Sequence, residues 1–64
     1  MKTYSYMIEG FGGRHGVTLA EVRADVAKFR ADGFAIVGRK LHIIEFTNVG
    51  AARVSGASRT LVIE

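Results

Sequence analysis

One segment has both of its ends written into the sequence. Thr18 is followed three residues later by Glu21, the pattern of a capping box at a helix start. Val17 and Val22 occupy the positions of a hydrophobic staple across that start. Gly33 after Asp32 suits the left-handed residue that ends a helix, and Phe34 beyond it is placed to contact Phe29, as in a Schellman ending. A helix over residues 18–32 is therefore predicted. At 100° per residue, Leu19, Val22, Val26 and Phe29 form the stripe expected to face a core. Ala20, Ala24, Ala27 and Ala31 form a second stripe of small side chains, and Glu21, Asp25, Lys28 and Asp32 a charged face expected to meet water.

Around this helix the periodicity changes to that of strands. In residues 2–9, Tyr4, Tyr6 and Ile8 alternate with Thr3, Ser5, Met7 and Glu9, so the segment reads as a strand with one apolar side. Residues 10–16 contain four glycines in seven positions and read as a flexible connector. Residues 34–46 sort poorly as one strand. Folded at Gly38-Arg39 as a type II′ hairpin, they place Phe34, Ile36, Leu41 and Ile43 on a core face and Ala35, Val37, Lys40, His42, Ile44 and Phe46 on the other. Residues 47–59 are rich in Gly, Ala and Ser. They read as loop or as a second hairpin, 52–55 with 58–63, turning at Gly56-Ala57, and 60–64 as a final strand.

The expected fold is thus α+β, with one α-helix packed on a three- to five-stranded, mainly antiparallel sheet in the order β-α-β-β-β. With 64 residues, residues 1–64 form a single small domain. A chain of this size buries only about 60% of its unfolded surface, so disulfides, metals or association usually supplement its core. There is no cysteine, which removes disulfides, thiolate nucleophiles and cysteine-bound metals. His15 and His42 are the only histidines and no spacing groups them with further ligands, so no metal is assigned. Association is the remaining remedy, and a homo-oligomer, at its simplest a homodimer, is expected. No run reaches the roughly 20 apolar residues of a membrane span, and the first residues lack a signal-peptide core, so no membrane partner and a cytoplasmic location are expected.

The chemistry-bearing patterns narrow function more by exclusion than by assertion. The glycine run between strand and helix has neither dinucleotide-fingerprint nor P-loop spacing. Gly10-Phe11-Gly12 matches the opening of an RNA-recognition signature, but Gly13 stands where an aromatic is required. The charges over residues 18–32 sum to zero, which suits groove entry poorly. No nucleophile–base or acid–base constellation is spaced for catalysis, so no catalytic residue and no cofactor is assigned and the chain is read as a non-enzyme.

What remains is a sheet with one helix, hence one uncovered face. That face carries Val37, Lys40, His42, Ile44 and Phe46, with Met7 and Val62 beside them, and a contiguous apolar patch usually marks a contact surface. A small regulatory or inhibitory protein that docks through this face onto a protein partner is the leading expectation. From size alone, phage-encoded (viral) inhibitors of host or defence machinery are common among such chains. The alternative is nucleic-acid binding. The net charge is +3, and Arg14, His15, Arg39, Arg53 and Arg59, at expected loops and turns, would meet phosphates.

Overall fold

A computed structural model describes residues 2–64. It contains β1 (Lys2–Ile8), β2 (Gly12–Val17), α1 (Leu19–Ala31), β3 (Lys40–Val49) and β4 (Ala52–Val62). The four strands form one antiparallel sheet in the order β2-β1-β3-β4, with the helix on one side. The α+β class is as expected. The element order is β-β-α-β-β rather than β-α-β-β-β, because two expected connections are strands and one expected hairpin is not a hairpin.

The helix begins and ends as its sequence dictates. Thr18 Oγ1 accepts the Glu21 N–H at 3.1 Å, and the Thr18 N–H donates back to Glu21 Oε1 at 3.4 Å. Val17 and Val22 are both buried. At the other end Phe34 N–H donates to the Phe29 carbonyl at 3.0 Å and Gly33 N–H to the Arg30 carbonyl at 3.1 Å, with Gly33 at φ 85°. These are the two bonds of a Schellman ending. Phe29 and Phe34 pack edge to face, and Phe11 from the β1–β2 turn joins them with its ring centroid 4.9 Å from Phe29 and 5.2 Å from Phe34.

The glycine-rich stretch is a strand, not a flexible connector. Gly12–Val17 returns along β1, pairing Ile8 with Gly12 and Tyr4 with Val17. The turn between them closes through Phe11 N–H to the Ile8 carbonyl at 2.9 Å, with Gly10 at φ 73°. A bulge interrupts the register between Tyr4 and Tyr6.

Residues 34–39 are not strand, so the hairpin expected at Gly38-Arg39 does not form. Gly38, at φ 87°, instead serves a tight turn closed by Arg39 N–H to the Ile36 carbonyl at 3.1 Å. This turn lowers Ile36 fully into the core. A two-residue hairpin does occur, but between β3 and β4 at Gly50-Ala51, where Val49 opposes Ala52. Gly50 has φ 59° and Ala51 a negative φ, the signs of a type II′ turn. Beyond it, residues 52–62 are a single strand rather than two. Gly56-Ala57 is a bulge in which two residues face Glu45 alone, so the chain bends there without reversing.

The core comprises Tyr6, Ile8, Val17, Val22, Ile36, Leu41, Ile43 and Ile63, with Tyr4, Val26 and Phe29 packed against it. Ile63 is held by Gly38 N–H to its carbonyl at 2.7 Å and by its own N–H to the Arg39 carbonyl at 3.0 Å. The face assignment of β1 and β3 is therefore as the alternation predicts, even though the turn that was to produce it lies elsewhere.

Two helix positions differ from the 100° projection. Leu19, expected in the core, is 40% exposed. Asp25, expected in water, turns toward the sheet and accepts the Tyr6 hydroxyl at 2.6 Å and Arg14 Nη1 at 2.9 Å. The polar end of a buried tyrosine requires a partner, and this need outweighs the helix's weak amphipathic preference. Burial, then the bond to Asp25, pushes the Tyr6 hydroxyl up to about 12. The same bond, with Arg14, holds Asp25 below the usual carboxylate range. The folded state keeps the Tyr6 proton that the unfolded chain loses near pH 10, so the stabilisation is intact below pH 10 and is lost as pH rises to about 12. Asp25 contributes at and above its ordinary range, and its share is lost as pH falls below 3.8 through its lowered folded value. Tyr6→Phe should flatten the alkaline arm of a stability–pH curve measured by urea unfolding. An unchanged arm would show that Tyr6 does not carry it.

Candidate docking face

Strand alternation and register bring a defined set of side chains to the side of the sheet opposite α1. In β3 these are Lys40, His42, Ile44 and Phe46. Their neighbours on β1 are Met7 beside His42, Ser5 beside Ile44 and Thr3 beside Phe46. On β4, Val62 stands beside Lys40, Thr60 beside His42, Ser58 beside Ile44 and Ser55 beside Phe46. Met7 and Val62 are each 58% exposed and Ile44 39%. They sit on strands whose opposite sides hold Ile8, Ile43 and Leu41 in the core, so the surface is backed by a rigid layer.

Two histidines frame the centre of this surface. His15 reaches it from β2, its Nδ1 2.9 Å from Ser5 Oγ, under which Ser5 is buried. His42 Nδ1 lies 3.0 Å from Thr60 Oγ1, and its Nε2 is 3.7 Å from Glu9 Oε2. A shallow depression between them is lined by Ser5, Tyr6, Met7, His15, His42 and Ile44 and is mostly apolar. No group of three or more metal-ligating side chains occurs among the described residues. Phe46 is half-buried, because the Arg53 guanidinium lies over its ring at 4.4 Å to the centroid.

Of the residues singled out for docking, Lys40, His42, Ile44 and Phe46 share this face. Val37 does not lie on it as a strand residue. It is exposed in the Ile36–Arg39 turn beyond the start of β3, a consequence of the missing hairpin. The basic residues proposed for phosphate contact do not converge. Arg14 is on the helix side, bonded to Asp25 and 3.5 Å from Glu21. Arg39 is a staple, donating from Nε to the Ala35 carbonyl at 2.8 Å and from Nη1 to the Glu9 carbonyl at 3.0 Å. Arg59 opposes Ile43 and so belongs to the helix side, while His15 and Arg53 are on the open face. These residues are thus divided between the two sides of the sheet.

His15 beside Ser5 is the feature of this site that the sequence concealed. Its position depends on Gly12–Val17 being a strand, and that segment carries no alternation to reveal it. Comparison with protein-family models, curated proteins and solved structures returns no match.

Proposed function

We propose that the chain is a small non-enzymatic regulatory or inhibitory protein that acts by docking its open sheet face onto a protein partner, in the cytoplasm. The observation that carries this reading is that Met7, Ile44 and Val62, one from each of three adjacent strands, are exposed on the same face as half-buried Phe46, on strands whose other side is core. Fully burying one such side chain is worth roughly 1.5–3 kcal/mol, so two or three anchors support a specific contact once the cost of association is met. A strand face backed by a packed core suits steric occlusion of a partner's own working surface. Among the described residues no helix is long and apolar enough to cross a membrane. The dispersal of Arg14, Arg39 and Arg59 away from the open face weighs against a nucleic-acid partner.

Affinity capture with tagged protein at low and moderate salt tests this. A protein should be retained at both salt concentrations and lost with Ile44→Asp, which places a charge at the centre of the patch without touching the core. Nucleic acid eluting steeply with salt, or a protein captured equally well by Ile44→Asp, would overturn the proposal.

A further inference from the structure

We infer that two copies of this chain associate through the outer edge of β4, pairing antiparallel about Thr60 so that the two sheets join into one. The chain exposes 4458 Å², against about 4,000 Å² for a compact monomer of this mass. Of the four strands, β4 is the one exposed along its whole length. None of its eleven residues is buried on either side, although Val54, Leu61 and Val62 are among them. A strand with no buried residue is poorly supported within one protomer.

The backbone identifies which part of the edge is free. Ile63 directs its N–H and carbonyl to Arg39 and Gly38, and Lys40 directs its carbonyl to Glu9 on the β1 side. Alternation along an antiparallel ladder then turns Leu61 and Arg59 inward to β3, and Ser58, Thr60 and Val62 outward. With Thr60 on a twofold axis, Ser58 of one copy meets Val62 of the other, and each outward residue exchanges both backbone bonds with its opposite number. Threonine pairs well across strands, and Arg59 falls opposite Leu61 rather than another arginine. A twofold at the Gly56 bulge would instead set Arg53 opposite Arg59, like charge against like, where the ladder is already broken. The other sheet edge, β2, is short and bulged and contains Gly12, Gly13 and Gly16, features that blunt edge pairing. The resulting eight-stranded sheet carries both open faces on one side.

Light scattering at about 100 µM, above the micromolar range of modest interfaces, should give twice the 6.9 kDa chain mass. Amide exchange should show Ser58, Thr60 and Val62 protected at that concentration and unprotected on dilution, with Arg59 and Leu61 protected in both. Thr60→Pro removes an outward N–H, together with the hydroxyl that meets His42, but no N–H that β3 receives, and should yield a folded monomer. If Thr60→Pro does not fold, Leu61→Lys, which sets a lysine opposite Arg59 across the twofold and lies on the helix side away from the open face, should yield one. A monomer at 100 µM, a dimer whose Ser58, Thr60 and Val62 amides exchange freely, or a dimer that survives the edge variant but is lost with Ile44→Asp would overturn the inference.

Discussion

Replacing Gly13 with alanine is expected to be the most damaging single-methyl change in this protein. A Cβ at that position would lie 1.8 Å from the Tyr6 carbonyl oxygen and 2.8 Å from the Met7 Cα, both backbone atoms that cannot rotate away. The β1–β2 pair would have to separate around Tyr6, whose side chain is in the core and bonded to Asp25. The cost should exceed about 3 kcal/mol, beyond ordinary overpacking. A chain of this length has a total stability of roughly 3–10 kcal/mol, so urea unfolding followed by circular dichroism should find Gly13→Ala stripped of a third or more of its stability, with its midpoint far below that of the parent. Gly12→Ala is the internal comparison. Nothing lies within 4 Å of its added carbon, but φ is 133°, so it should cost only the backbone strain, about 1–3 kcal/mol. If the two variants unfold at the same urea concentration, the close approach of β2 to β1 at Gly13 is wrong.

Ile36→Ala should produce the second large effect. Ile36 is fully buried although it belongs to no regular element. It is held by the Gly38 turn and packs within the cluster that includes Ile8, Leu41 and Ile63. Truncation removes its buried methyls and leaves a void that the surrounding strands can only partly close, at about 2–5 kcal/mol. Val37→Ala, one residue along and 61% exposed, should change stability by less than about 0.5 kcal/mol. This pair separates a plug that seals the end of the core from a loose connection, because a loose connection would leave the two variants alike.

The contrast between Ile36 and Val37 also shows where sequence reading stops. As consecutive apolar residues before a glycine they fit a hairpin strand, and that placement put Val37 on the open face. Local pattern does not distinguish a hairpin turn at Gly38 from a turn that drops one residue into the core. The difference lies in the partner, which is Ile63 at the far end of the chain. The open-face residues of β3 were legible because alternation fixes a face wherever the strand begins. Lys40, His42, Ile44 and Phe46 share their side for that reason alone.

The helix, both of its caps and the inward sides of β1 and β3 were determined by sequence, because each depends on residues a few positions apart whose preferences agree. The tertiary structure alone decided that a run of glycines is a strand, that Gly56 marks a bulge rather than a turn, and that Asp25 faces the sheet. In each case the deciding partner is distant in the chain. The Tyr6 and Met7 backbone leaves no room for a side chain at Gly13, Glu45 accommodates the extra residue of β4, and the Tyr6 hydroxyl requires an acceptor once buried.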